Sequence, residues 1–466
     1  MLSKLKNLLG SHRRKNIALV AVVIGSAVAI LDGSIVNLAL PKIEAEWHSG
    51  YSSLQWISDA YLLSLSALIL LGGSLGDIFG RKKVYLIGVA GFGVTSLLCA
   101  LSPNVEVLVG MRILQGVFGA LLVPGALSII NTTFSSSSER AHAIGKWTAW
   151  SSIAVVLSPF LGGWILAVAS WRWIFFINIP LVIVCYVLAH MAVDETRDKR
   201  PRSVDILGAL LGAASLAGIT YGLIEGPARH WSWVEVVALI VGAVFFGLFL
   251  LCERRRRDPM VKLALFRSKN FTGANLMTFL MYGALGGFAF AFVIYLQTHL
   301  HYSAFEAGLS LLPISICLML FSGYVGKLSA AYGPRLFMTA GPLLAGVGMA
   351  LLYFLQPGAN YFVSILPGVL LFSIGLTLLV SPLTTTVMAA VERDDSGIAS
   401  GINNAVARSA GLIVVAALGL LGAAHAYMFA IGLCAVMAIL GGVVSFVLIE
   451  KPYKAKDVAP GQTIAK

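Results

Sequence analysis

A few ionisable residues of this 466-residue chain fall inside long apolar runs, where a charge survives only if it is paired, protonated or hydrated. Asp32 lies in the first run, about 8 residues and so roughly 12 Å from its outer end at helical rise. Desolvation favours the neutral form of a carboxylic acid, as reversible proton carriage near neutral pH requires. Gly25, Ala29 and Val36 share its helical face and leave room for a cavity or a close helix. A structural hydrogen bond between helices is the plainer reading; the rarity of acids inside spans favours function. Arg112 lies in the fourth run, about 7 residues or roughly 10 Å below its start, a depth that matches Asp32. Gln115, Gly116 and Gly119 share its face, so Arg112 is the natural partner. It acts either as a static ion pair or as a cation that stabilises ionised Asp32 in one conformation only. Asp59, near the outer end of the second run, is within reach of water; solvation is its default and a second proton site the alternative.

Other candidates say less. Asn403, Asn404 and Arg408 begin the thirteenth run, where they line a polar path or satisfy one another. Trp147, Trp150, Tyr282, Phe288, Phe292 and Tyr295 offer aromatic surface to a lipophilic cation, although aromatics also crowd lipid-facing and interfacial positions. Glu106, Glu225, Glu235 and Glu306 fall at run ends and read as helix-end charges. The five cysteines (Cys99, Cys185, Cys252, Cys317, Cys434) are scattered singly, and His190, His299, His301 and His425 have no metal-ligand constellation. No Gly-rich phosphate loop ends in Lys-Ser or Lys-Thr. No catalysis, cofactor or metal is therefore expected, and an ion gradient or the substrate's own gradient must drive any work.

The elements that hold these residues are membrane spans. The chain is 58% hydrophobic and 12% charged, with a mean hydropathy of +0.88, too much apolar surface for a soluble fold of this length. The apolar residues form runs of about 20, long enough to cross a bilayer core as helices and without the alternation of barrel strands. Fourteen runs are read, approximately 16–40, 52–74, 83–101, 105–131, 142–167, 173–193, 204–225, 233–252, 270–299, 305–329, 336–356, 360–390, 400–422 and 425–449. The first is too long for a signal peptide and is read as a retained span.

The formal net charge of +12 would suggest nucleic acid in a soluble protein. Here about 28 of the 33 Lys and Arg fall in alternate loops and the termini, as in Lys4, Lys6, Arg13–Lys15, Arg81–Lys83 and Arg254–Arg257. Opposite loops carry only Lys42, Arg172 and Arg229. The basicity is therefore topological, with both termini expected in the cytoplasm, an inner (plasma) membrane location, and no nucleic-acid partner.

An internal repeat divides the runs. Gly73-Ser-Leu-Gly-Asp-Ile-Phe-Gly80-Arg81-Lys82 follows the second, and Gly326-Lys-Leu-Ser-Ala-Ala-Tyr-Gly333-Pro334-Arg335 follows the tenth. Both glycines and the last basic residue recur at an offset of 253, each copy between the second and third helices of a six-helix set. The expected organisation is a six-helix half over 1–200, two inserted helices over 201–262 and a second six-helix half over 263–466, with a substrate site between the halves.

Gly73–Lys83 resembles motif A of the major facilitator superfamily, and further segments are similar to its fourteen-span drug/proton antiporter branch. They are Ile30-Leu-Asp-Gly-Ser-Ile-Val-Asn-Leu-Ala-Leu-Pro41 in the first helix, Gly110-Met-Arg-Ile-Leu-Gln-Gly116 as motif B, and Trp171-Arg-Trp-Ile-Phe-Phe-Ile-Asn-Ile-Pro180 leading into the sixth. The antiporter motif of the fifth helix keeps Pro159, Gly162 and Gly163 but has Ser158 and Ala154 where glycine is usual. In the second copy of motif A the acidic position is Ala330.

The resemblance implies an all-α major facilitator fold of two six-helix halves plus two inserted central helices. It implies proton transfer through Arg112 and Asp32, a cytoplasmic gate at Gly73, Asp77, Gly80 and Arg81 with Asp77 set against a helix N-terminus in one state, and a fifth-helix kink at Pro159. The expected function is proton-coupled export of amphipathic or cationic compounds by alternating access, by a monomer whose partners are small molecules, protons and lipid. Trp150, Tyr282, Phe288, Phe292, Tyr295 and Asn403 are the expected substrate contacts. The alternatives are export of an endogenous metabolite or lipid without proton coupling, favoured by Ala154 and Ser158, and a non-transporting sensor or scaffold.

Overall fold

Residues 11–134, 136–198, 205–256, 259–392, 395–421 and 426–450 are described by the computed structural model; Lys4, Lys6, Arg257 and His425 lie outside them. Among the described residues fourteen helices are long and apolar enough to cross a membrane. They are α1 (Arg13–Trp47), α2 (Tyr51–Phe79), α3 (Arg81–Ala100), α4 (Val105–Thr133), α5 (His142–Val168), α6 (Trp173–Ala192), α7 (Ile206–Ala228), α8 (Trp233–Arg255), α9 (Lys269–Thr298), α10 (Ala304–Tyr332), α11 (Pro334–Leu352), α12 (Tyr361–Ala389), α13 (Gly397–Leu420) and α14 (Tyr427–Leu448). The chain reverses at each short connection, which leaves one end of the bundle with Arg81–Lys83 and Arg254–Arg255. That end is called the basic end below, and the opposite one the far end.

The helices begin where side chains accept the orphan amides of a first turn. Asn104, Ser136, Asp205, Ser268 and Ser303 all do so, and Ser303 with Glu306 forms a reciprocal capping box. At the ends of α2 and α10 the repeated glycines do a matching job. Gly80 (φ 112°) and Gly333 (φ 91°) both take left-handed backbone, and each closes its helix with an amide bond to the residue four back.

Packing follows small residues, because in lipid close backbone approach replaces the hydrophobic drive between helices. On α2 and α4, a Cβ at Gly72 would strike the Ala120 carbonyl and one at Gly116 the Tyr61 carbonyl. Gly218 and Gly242 press α7 to α8, and Gly341, Gly348 and Gly375 press α11 to α12. The first six and last six helices meet along two seams, α2 with α13 and α5 with α10, while α1 also touches α9. The α7–α8 pair leans on the first seam, with α7 against both α2 and α13.

The tightest contacts across the seams lie toward the far end. Gln55 Nε2 donates to the Val415 and Ala416 carbonyls at 2.5 and 3.1 Å, and Gln297 Nε2 donates to the Leu38 carbonyl at 3.1 Å. Gly308 abuts the Pro159 carbonyl, and a Cβ on Gly163 would come within 2.7 Å of the Phe305 Cα.

Candidate functional site

Asp32 and Arg112 meet. Arg112 Nη1 donates to Asp32 Oδ2 at 2.5 Å, and the two residues are 3% and 1% exposed. Helix α1 delivers the carboxylate and α4 the guanidinium; α2, α3 and α6 complete the shell. Gln115 Nε2 donates to Asp32 Oδ1 at 2.9 Å and to Ser96 Oγ of α3 at 2.8 Å. Asn178 Nδ2 of α6 donates to the same Asp32 oxygen at 3.1 Å and to Ser96 Oγ at 3.3 Å. Arg112 is held on other sides by the Gln115 Oε1 and the Ile57 carbonyl, and its guanidinium lies 4.7 Å above the Tyr61 ring. Every charge here has a partner, as a dry interior demands.

Ser96 and Asn178 carry no periodic signal, and sequence reasoning passed over both as site residues. Asn178 does lie within the segment 171–180, whose uncommon feature is an amide at the start of an apolar run. Its Oδ1 is buried without a hydrogen-bond partner. A half-turn of that amide would let Asn178 accept a hydrogen bond from a protonated Asp32 instead of donating one to it.

Asp59 departs from expectation. It is fully buried, and neither carboxylate oxygen has a hydrogen-bond partner, so water does not reach it. Distance from the helix end misleads here because α7 and α13 cover this side of α2.

Motif A also differs in detail. Asp77 Oδ1 takes Arg81 Nε at 2.8 Å, within its own motif. The carboxylate at a helix N-terminus is that of Glu195, which accepts the Lys82 and Lys83 amides of α3 at 3.1 and 3.0 Å. The segment after α6 is strapped across the motif by two more bonds, Arg81 N to the Thr196 carbonyl and Asp198 N to the Asp77 carbonyl, both 3.0 Å. Gly73 faces Pro124 of α4, and a Cβ on Gly80 would collide with the Glu195 carboxylate.

In the fifth helix, Ser158 Oγ donates to the Ala154 carbonyl at 2.7 Å, and Gly162 is pressed against Ile35. The substitutions thus keep a compact face.

The expected aromatic wall is not one surface. Phe288 stacks on Phe292 (centroids 4.9 Å) and on Phe372 (4.8 Å), inside the core of the last six helices. Tyr295 stacks on Tyr427 at 3.7 Å and donates to the Leu355 carbonyl at 3.0 Å. These three are occupied by packing. Trp147 donates to Ser26 Oγ at 2.9 Å. Trp150 is 56% exposed, Tyr282 is part-buried, and Asn403 donates to Thr278 Oγ1 at 2.8 Å and Asn275 Oδ1 at 3.2 Å. Among the described residues no group of three or more His, Cys, Asp and Glu is placed to hold a metal.

A bundle of fourteen spans with motif A between α2 and α3 and a buried acid–arginine pair between α1 and α4 defines a secondary transporter. The family model of the Major Facilitator Superfamily matches residues 22–415, and the chain belongs to that superfamily, a family of transporters and not of enzymes. Its relatives place it in the multidrug-efflux branch. A multidrug resistance protein, Stp, of Mycobacterium tuberculosis is 33% identical over 88% of this chain and 76% of its own length. The puromycin resistance protein pur8 of Streptomyces alboniger is 30% identical over 96% of this chain and 94% of its own. Among solved structures, a peptide transporter POT in complex with sulfate aligns over 92% of this chain and 94% of its own with a TM-score of 0.71. At 13% identity that likeness speaks for the fold alone.

Proposed function

We propose that the chain is a proton-coupled antiporter that exports amphipathic drug-like compounds, cationic ones among them, by alternating access. The observation that carries this is the closed polar network around Asp32 and Arg112. An ion pair held by five of the first six helices is costly to disturb, yet a proton on Asp32 removes the charge that holds it together. The names of the relatives, multidrug resistance and puromycin resistance, support the cargo class.

In this reading the basic end faces the cytoplasm of the plasma membrane, following the positive-inside rule, with both termini there. The seams pinned at the far end by Gln55, Gln297 and Gly308 then correspond to a state sealed on the outside. A proton arriving at Asp32 favours one state and substrate the other, and only that difference in affinity drives the cycle. The Asn178 amide is the group that answers protonation, by turning its free oxygen to the new hydroxyl. Asp59, unpartnered in a dry seam, is carried as the neutral acid and is the second proton-coupling residue. Gly73, Asp77, Gly80 and Arg81 form the cytoplasmic gate, and Pro159 with Gly162 and Gly163 lets α5 pivot on α10. Trp150, Tyr282 and Asn403 remain as substrate contacts, while Phe288, Phe292 and Tyr295 support them from behind. The working unit is a monomer, with the units 1–200, 201–262 and 263–466.

The test is efflux of ethidium from vesicles under an imposed pH gradient. Gradient-driven efflux is expected in the wild type and absent in Asp32→Asn; undiminished efflux in that variant sinks the assignment.

A further inference from the structure

The α2–α13 seam holds buried polar groups that the Asp32 network does not use. Gln55 Oε1, both oxygens of Asp59, Ser66 Oγ and Arg408 Nε are all enclosed there without a hydrogen-bond partner. Two contacts fix how the helices face each other. Near the far end Gln55 bonds the Val415 carbonyl at 2.5 Å, and toward the basic end a Cβ on Gly401 would come within 2.9 Å of Leu70 Cδ2. That antiparallel register brings Arg408 opposite Leu63, with Asp59 and Ser66 each about one turn away along α2. Gln55, Asp59, Leu62, Ser66 and Leu70 recur at three- and four-residue spacing and form the stripe that α2 presents to α13.

Arg408 makes no ion pair or hydrogen bond from its side chain among the described residues, unlike Arg112. Its Nε is buried without a partner while the residue as a whole is part-exposed, so an entering counter-charge would find the guanidinium both unpaired and reachable. Among the described residues no carboxylate pairs with it. Asp59, the nearest acid along the stripe, has both oxygens unpartnered. The face is also reachable. Along α13 Val415 and Gly411 are buried, Arg408 is part-exposed and Asn404 is exposed, so the stripe opens toward the basic end with Arg408 at its floor.

We propose that Arg408 recognises the anionic group of an amphipathic substrate, a carboxylate or similar planar oxyanion entering from the basic end, with Ser66 as a second donor. A planar fork of donors matches a carboxylate in a way a diffuse positive potential does not. The inference rests on the export reading only for the direction of travel. It widens the cargo class from cations to amphipathic compounds that carry a negative group.

The test is equilibrium binding to the purified full chain in nanodiscs, with empty nanodiscs subtracted. The probes are the aromatic carboxylate nalidixate and its uncharged ethyl ester. The wild type is expected to prefer the acid by about tenfold, the strength of one charge-assisted pair. Arg408→Gln should bind both alike, with ester affinity unchanged, and Arg408→Lys should keep only part of the preference. A wild type that binds the ester as tightly as the acid overturns the proposal whatever the variants do, and so does an Arg408→Gln protein that keeps the tenfold preference. No gradient enters this measurement. Its failure leaves gradient-driven efflux standing, and failure of gradient-driven efflux leaves the preference standing.

Discussion

Asp32 and Asp59 are both buried, both on the first two helices, and treated in opposite ways. Asp32 has an arginine, a glutamine and an asparagine on its two oxygens; Asp59 has nothing on either. The first environment surrounds the carboxylate with donors, and the second gives its carboxyl group none, so a charge there is left uncompensated. The contrast follows the architecture. Asp32 lies among α1, α3, α4 and α6, all within the first six helices. Asp59 lies on the seam where α2 meets α13, which the proposed alternating-access cycle would rearrange, so a permanent partner there would resist that cycle.

The largest effect expected from breaking this contrast is at Arg112. Arg112→Ala leaves the Asp32 carboxylate buried and unpaired, and thermal unfolding in detergent should show a loss of about 3–5 kcal/mol. Arg112→Lys keeps the charge but cannot reach Asp32, Gln115 and the Ile57 carbonyl together, so it should fall between. Equal stability in the alanine variant would mean that the ion pair is not formed in the membrane.

Next comes the direct comparison of the two acids. Asp32→Asn strands the Arg112 guanidinium and should cost about 3 kcal/mol. Asp59→Asn replaces a neutral acid with its near-isostere and should stay within about 0.5 kcal/mol of wild type. Both are read by the same unfolding assay at neutral pH. A larger loss at Asp59 than at Asp32 would mean that Asp59, and not Asp32, is held by partners the fold depends on.

These outcomes bear on how much was legible beforehand. The span count and the depth match of Asp32 with Arg112 follow from run length and helical rise, quantities that tertiary packing does not alter. Ser96 and Asn178 were not legible, because a single polar residue in an apolar run has no period and reveals its role only when four helices converge. Asp59 was misjudged for a related reason: hydration is set by what covers a residue, and α7 comes from an inserted pair whose placement no local pattern announces. Phe288, Phe292 and Tyr295 look like a binding wall in sequence because stacking partners such as Phe372 and Tyr427 lie far along the chain.

The smallest expected effect concerns the two copies of the glycine motif. Both end a helix on left-handed glycine, yet only the first carries a strap. Lys82 and Lys83 offer their amides to Glu195, whereas the second copy starts α11 with Pro334, which has no amide to satisfy. Glu195→Gln keeps one acceptor oxygen, turns the other into a donor facing a backbone amide, and removes the charge facing the α3 N-terminus, the charge alone worth about 0.3–1 kcal/mol. The strap joins α3 to the segment after α6 within the first half, so the loss should appear as local loosening and not as altered seam contacts. Hydrogen exchange should rise at Lys82, Lys83 and Thr196 while the α2–α13 amides near Val415 are unchanged. If exchange rises instead at the far end, the strap is coupled to the seams, and the motif works as a gate through Glu195 and not through Asp77.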